Sequence, residues 1–355
     1  MEVVDAPVID VAAFLDNSET SEEECKKVVE SLHKYGILIF KDPRIEEKDN
    51  EEYIDLLEQY FEKRGDQFYD HNELKDAYPE IHYQVGITPE LKEKARNHCE
   101  RFAHYDENNK PISECPPEFD AKWRFFWHIG DRPEERKQIH SNVVPEDFPD
   151  WEEKMNKWGN MMVEACYTAA EMCAVGLGVP KDTLSGMMKL GPHLLAPTGS
   201  DLTKNSKGTV FAGVHYDLNF LTIHGKSRFP GLFIWLNDGT KMSVKVPDGC
   251  LLLQAGIQIE WLTGGYIKAG FHEVIYTEET EEKVNKRREE KPDGHIWRVS
   301  STLFSHIRYD LSLAPLDVLS HLHDEGAKEK YIDITSEEKT MEELKAINLH
   351  AESSS

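Results

Sequence analysis

Residues 209–224 read Thr209-Val210-Phe211-Ala212-Gly213-Val214-His215-Tyr216-Asp217-Leu218-Asn219-Phe220-Leu221-Thr222-Ile223-His224. Two short apolar runs, Thr209–Val214 and Phe220–His224, flank a His-x-Asp pair. Both runs are rich in β-branched and aromatic side chains, so both read as strands. In a strand, residues two apart share a face, which sets the His215 imidazole beside the Asp217 carboxylate.

The same texture extends on both sides of this stretch. Short apolar or alternating runs cover Met187–Leu195, Leu232–Leu236, Ser243–Val246, Leu251–Gln254, Phe271–Tyr276 and Arg298–His306. Turn signals separate them: Pro197-Thr198-Gly199, Pro230-Gly231, Asn237-Asp238-Gly239, Pro247-Asp248-Gly249 and Gly264-Gly265. Strands at this spacing predict a sandwich or jelly roll. Upstream the texture is mixed and mostly helical. Residues 21–34 and 50–63 carry apolar side chains at helical spacing. Residues 151–177 predict a long helix whose apolar side includes Trp158, Met161, Met162, Ala165, Ala169 and Met172. Between the helices, Gly36-Ile37-Leu38-Ile39-Phe40 reads as a buried strand. The fold class is therefore mixed α and β. It has a sandwich or jelly-roll β-core, an N-terminal helical and mixed annex, and flanking helices. We divide the chain into a mixed N-terminal region, 1–130, and a helical support, 131–184. A jelly-roll domain, 185–315, and a C-terminal helix with a polar tail, 316–355, complete it.

Composition narrows the function. The chain has 355 residues, with 41 Lys plus Arg against 66 Asp plus Glu, a formal charge of −25. Such a surface repels nucleic acid and anionic membrane, so neither is an expected partner. No apolar run approaches the roughly 20 residues of a membrane span. The N-terminus is acidic and does not read as a secretion signal. Six scattered cysteines in such a chain read as reduced thiols, and the expected location is cytoplasmic. No obligate protein partner is evident, and the expected partner is a small-molecule substrate.

His272 lies on a later strand and can join His215 and Asp217. Two imidazoles and one carboxylate on one face of a metal leave the opposite face open, an arrangement suited to non-haem Fe(II). A His-x-Asp pair by itself is a weak signal, because a surface histidine beside a solvated aspartate is the commoner case.

The surrounding motifs strengthen it. Ala6-Pro7-Val8-Ile9-Asp10, Lys34–Phe40, Trp123-Arg124-Phe125-Phe126-Trp127-His128-Ile129-Gly130, the His215-x-Asp217…His272 set, Thr263-Gly264-Gly265 and Arg298-Val299-Ser300 occur in that order. In this order the chain resembles the iron(II)/2-oxoglutarate-dependent dioxygenases of the isopenicillin N synthase-like group, which implies that the β-core is a double-stranded β-helix (jelly roll). The resemblance implies that His215, Asp217 and His272 hold Fe(II) and form the catalytic centre. It implies that Arg298 and Ser300 grip the distal carboxylate of 2-oxoglutarate, the co-substrate, with O2 as oxidant. A guanidinium suits that task because it offers two parallel hydrogen bonds in fixed geometry. The implied reaction is oxidation of a small molecule by hydrogen abstraction: hydroxylation, desaturation or oxidative cyclisation, in specialised metabolism. Asp217 argues against halogenation, since halogenating relatives lack this carboxylate.

Substrate candidates are Tyr83 and Phe126, from segments that approach the substrate mouth in that family, together with Lys189 and His193. The charged stretch 277–294, with Lys286-Arg287-Arg288, reads as a solvated hairpin extension or a cationic lip. With Lys189 it favours a carboxylated, amino-acid-like substrate. Competing readings are an iron oxidase that does not use 2-oxoglutarate, a metal-free ligand-binding relative, and a zinc-dependent cupin-like isomerase or hydrolase. His321-Leu322-His323-Asp324 is a second possible ligand cluster, with no evident distant partner.

Overall fold

The computed structural model describes residues 2–134 and 140–346. The polar tail ending in Ser353-Ser354-Ser355 lies outside the described residues.

Two facing sheets build the core. The larger runs through Val8–Asp10, Ile37–Lys41, Leu251–Ala255, Leu221–Gly225, Leu303–Ser305, Leu194–Leu195, Trp123–His128, Thr198–Asp201 and Trp297–Ser300, with Gly86–Thr88 paired beside Trp123–His128. The smaller has the order Lys241–Ser243, Leu232–Trp235, His272–Ile275, Val210–His215. The strand Leu251–Ala255 is buried along its whole length, between Ile37–Lys41 and Leu221–Gly225. Strands covered on both faces are continuous apolar runs rather than alternating ones, as Leu251-Leu252-Leu253 shows. Trp123–His128 alternates instead: Trp123, Phe125 and Trp127 are buried in the core, whereas Arg124, Phe126 and His128 share the other face.

Two long helices back the larger sheet. Ser21–Tyr35 presents Cys25, Val28, Val29 and Leu32 to Trp151–Gly176. They touch closely at Gly176, where an added Cβ would meet the Cys25 carbonyl oxygen at 2.2 Å. Ser21–Tyr35 ends at Gly36, whose φ of 67° lets the chain turn at once into the strand Ile37–Lys41. One apolar core runs from Ile9 to Tyr331, so the four sequence segments pack around a shared interior.

The structure corrects several expectations. Met187–Leu195 is not one strand: the helix Asp182–Met188 ends inside it, and only Leu194–Leu195 pairs. Thr198, assigned to a turn, starts the strand Thr198–Asp201, because Trp297–Ser300 pairs with it there. Arg298–His306 is divided into Trp297–Ser300 and Leu303–Ser305, each in a different neighbourhood of the sheet. The stretch 277–294 is not a hairpin: Glu278–Glu290 is a helix. Its start is a box in which Thr277 and Thr280 each accept the other's backbone N–H. Three glutamates in its first turn and two arginines in its last match the helix dipole.

Cysteine usage also differs from the expectation. Cys99 and Cys115 form a disulfide with a Cα separation of 5.6 Å. Residues 94–119 leave the core and return, closed by a bridge between Lys94 and Phe119, and this brings the two cysteines together. The other four are buried thiols. No helix among the described residues is long and apolar enough to cross a membrane.

Candidate metal centre and substrate cavity

His215 ends its strand and pairs in register with His272 on the neighbouring antiparallel strand. The two imidazoles therefore lie side by side, with ring centroids 4.3 Å apart. Asp217 follows two residues on, with its carboxylate oxygens 3.6 Å from His215 Nε2 and 3.8 Å from His272 Nε2. One ligand atom from each residue lies within 4.8 Å of the others. This is the one group of three or more such side chains found among the described residues, and His321, His323 and Asp324 form none.

The outer contacts fix the rings. His215 Nδ1 donates to the Gly213 carbonyl at 2.6 Å, and His272 Nδ1 donates to the Gly270 carbonyl at 3.0 Å. Each Nε2 is thereby left as a free acceptor turned toward Asp217, the tautomer a metal needs. Thr222 Oγ1 donates to Asp217 Oδ2 at 2.6 Å. Burial pushes the His215 imidazole down to about 3, and the adjacent His272 adds to this. Burial by itself would raise the Asp217 carboxyl, but the two imidazoles and Thr222 outweigh it and hold it below the usual range. A neutral imidazole and an ionised carboxylate are the forms that bind a divalent ion.

A cavity of about 80 Å³ opens from the triad toward Arg298, with Ser300, Gln254 and Thr198 on its wall. Arg298 is 8% exposed, and its Nε donates to the Pro230 carbonyl at 3.0 Å. Among the described residues no carboxylate pairs with it. Burial pushes its guanidinium down to about 10, still a cation at neutral pH. A buried cation without a counter-ion is costly, and here it faces a hole that an anion would fill. Ser300 Oγ shares a hydrogen bond of 2.8 Å with Thr302 Oγ1, so its hydroxyl is also on that wall.

A second cavity, about 310 Å³, lies on the other side of the triad and shares His215 and Asp217 with the first. Phe126, Leu194 and Phe304 form its apolar floor. Ala95, Arg96 and His98 roof it from the 94–119 excursion, and Thr340, Glu343 and Leu344 close it from the helix Ser336–Ala346. Lys122 and Arg124 stand between the two cavities.

The four substrate candidates separate here. Phe126 lines the larger cavity. His193 is buried directly behind its wall, where Nδ1 accepts the His306 backbone N–H at 3.1 Å. Lys189 is exposed at the end of the helix Asp182–Met188 and lines neither cavity, and neither does Tyr83. Lys286, Arg287 and Arg288 are likewise absent from both walls; Arg288 instead donates to the Gly294 carbonyl at 2.8 Å and closes its own helix end. Sequence reasoning did not single out Thr222, Lys122, His98 or Glu343. The alternation of Trp123–His128 was the available signal for Arg124, because it shares a face with Phe126. Glu343 and His98 come from segments with no strand pattern to place them.

Comparison with known proteins agrees with this geometry. Residues 192–307 match the family described as the 2OG-Fe(II) oxygenase superfamily. A gibberellin 2-beta-dioxygenase of Phaseolus coccineus is 22% identical over 211 residues, which span 54% of this chain and 63% of that protein. Among solved structures, a Neurospora crassa protein in complex with alpha-KG and thymine superposes with a TM-score of 0.73 at 18% identity, over 96% of this chain and 98% of that one. A rice dioxygenase for auxin oxidation superposes with a TM-score of 0.61 at 15% identity, over 96% of this chain and 95% of that one. At these identities the structural likeness is one of fold.

Proposed function

We propose, given that residues 192–307 form a 2OG-Fe(II) oxygenase domain, that the chain oxidises a small molecule with Fe(II), 2-oxoglutarate and O2. The observation that supports this most directly is the placement of Arg298. An unpaired, buried guanidinium shares one cavity with a triad whose three ligand atoms converge within 4.8 Å. His215, Asp217 and His272 would hold the metal, and Arg298 with Ser300 would hold the distal carboxylate of 2-oxoglutarate. When bound, iron and 2-oxoglutarate together supply the oxidising power that removes a substrate hydrogen.

The chain's own residues do the remaining work. Gly213 and Gly270 orient the two imidazoles through their carbonyls, and Thr222 orients the carboxylate. Arg298 supplies charge where the co-substrate is anionic. The larger cavity brings a substrate up to His215 and Asp217 between apolar walls, and the 94–119 roof and the Ser336–Ala346 helix restrict water. Arg298 favours this reading over an iron oxidase that uses no 2-oxoglutarate, because the smaller cavity then has no anion. The carboxylated amino-acid-like substrate loses its basis in Lys189 and residues 286–288, which stand away from both cavities.

Anaerobic Fe(II) titration of metal-free protein, with and without 2-oxoglutarate, tests the reading. A visible charge-transfer band that needs both additions, and is lost in His215→Ala and Arg298→Ala, is expected. Iron binding without the band would reject the co-substrate role.

A further inference from the structure

The geometry points to an uncharged substrate, recognised through hydrogen bonds to the imidazoles of His306 and His98 in the 310 Å³ cavity. This rests on the oxygenase reading and adds the chemical class that the cavity takes.

Three of the four Lys and Arg side chains that line the cavity are already paired with acids. Lys122 Nζ is 2.6 Å from Asp120, Arg124 is 2.9 Å from Glu93, and Arg96 is 2.7 Å from Glu343. Lys94 places its ammonium 5.7 Å from the ring centre of Phe119, an exposed residue. A substrate carboxylate drawn to Lys122, Arg124 or Arg96 would have to break a pair and strand the acid it displaced, in surroundings where Glu93 and Asp120 are almost wholly buried. The contrast with Arg298, which has no acid partner among the described residues, is chemical: Lys122, Arg124 and Arg96 are each already matched by an acid.

The imidazoles of His306 and His98 line the larger cavity without a hydrogen bond among the described residues. His306 is 6% exposed, and neither ring nitrogen makes a hydrogen bond among the described residues; its Nδ1 is buried and unpaired. It follows the strand Leu303–Ser305, so it rises from the floor. His98 sits on the roof, tilted against Tyr216 at 5.3 Å and edge-on to Phe271 at 4.9 Å, also without a hydrogen bond to its ring. Burial pushes His306 down to about 3 and His98 down to about 4, so both rings are neutral at pH 7. A neutral imidazole offers one donor and one acceptor. Buried polar groups normally find partners, so the unpartnered His306, with the half-buried His98 on the same cavity, describes what the ligand must bring: carbonyl, hydroxyl or ring N–H groups on a compact, mostly apolar frame.

Ligand-observed NMR on the anaerobic protein loaded with Fe(II) and 2-oxoglutarate tests this with size-matched pairs: benzamide and benzoate, nicotinamide and nicotinate, cyclohexanecarboxamide and cyclohexanecarboxylate. The amides are expected to bind in preference to the acids. His306→Phe and His98→Phe are each expected to weaken amide binding about tenfold, the loss of roughly one hydrogen bond, with His306→Gln restoring most of it. Tighter binding of the acids, amide binding that is the same in both Phe variants, or no binding by any member would overturn the inference. The charge-transfer band, recorded on the same sample, reports separately on the oxygenase reading.

Discussion

Thr222 and Asp217 are joined across the two sheets by a hydrogen bond of 2.6 Å from Oγ1 to Oδ2. Thr222 belongs to the larger sheet and Asp217 follows a strand of the smaller one. The bond holds the carboxylate with Oδ1 toward His215 and Oδ2 toward His272. Outer contacts of this kind typically contribute about 10- to 100-fold in metal affinity. Thr222→Val is therefore expected to weaken Fe(II) binding by about tenfold or more, while Thr222→Ser retains it. Anaerobic titration of both variants measures this, and equal affinities would show that Asp217 needs no orienting partner.

Arg298 carries opposite consequences for stability and for binding. Its guanidinium falls from an ordinary 12.5 to about 10 because burial disfavours the charged form. A base depressed in the folded state costs stability at every pH below its folded value, and the cost fades only as pH rises through about 10. The cost is on the order of 3 kcal/mol. Arg298→Met should therefore raise the Tm of the ligand-free protein. The same change should abolish the rise in Tm that saturating 2-oxoglutarate gives the wild type, about 3 kcal/mol at a hundredfold excess over Kd. A lower ligand-free Tm in the variant would contradict this account.

The triad was legible in the sequence because His215 and Asp217 stand two apart, although the strand stops at His215 and Asp217 meets the imidazoles from just beyond it rather than by strand alternation. The in-register pairing with His272 required knowing which strands adjoin, which periodicity does not state. Arg298 was reachable through the Arg-x-Ser motif, since residues 298 and 300 also share a face. The misread segments were those where a local pattern yields to a neighbour. Thr198 sits among turn residues, yet pairs with Ser300. Residues 278–290 are so polar that they read as an extension, yet Thr277 and Thr280 nucleate a helix. Charge was the poorest guide, because basic residues along the chain say nothing of which acids will meet them in space.

The helix Glu278–Glu290 provides a negative control for the cationic lip. Arg287 pairs with Glu290 at 2.8 Å, and Lys286 is exposed. Reversing the charges of Lys286, Arg287 and Arg288 together is expected to leave the KM for 2-oxoglutarate within about twofold, since surface pairs contribute little. Thr277→Ala should cost about 1 kcal/mol through loss of the cap, seen as a lower Tm without a change in KM. A several-fold rise in KM after charge reversal would restore the lip.

Cysteine chemistry divides by position. Burial raises the Cys25 thiol to about 11 and the Cys166 and Cys173 thiols to about 12. At pH 8 their thiolate fractions are negligible, and the thiolate is the reacting form. Iodoacetamide on native protein should therefore leave these three unlabelled by mass spectrometry, whereas Cys99 and Cys115 become labelled only after reductant is added. Rapid labelling of Cys166 would show that the long helix opens away from the core.

Glu343 ties the C-terminal helix to the metal-bearing strand. Its carboxylate accepts from Lys339 at 2.7 Å, Arg96 at 2.7 Å and the Tyr216 hydroxyl at 3.2 Å. Tyr216 stands between His215 and Asp217 in the chain, so the helix closing the larger cavity is anchored one residue from two triad members. Burial alone would raise this carboxyl; Lys339 and Arg96 outweigh it and hold it below its ordinary 4.5. A depressed carboxyl stabilises fully above its unfolded value and loses that contribution as pH falls through the folded one. In wild type, amide hydrogen exchange in Ser336–Ala346, corrected for the intrinsic effect of pH, should accordingly accelerate below about pH 4.5. Glu343→Gln should exchange faster in the same helix at pH 7 and respond less to acid, because the titrating group is gone. Equal protection of variant and wild type at pH 7 would mean that the apolar contacts of Leu344, not the carboxylate, hold the helix over the cavity.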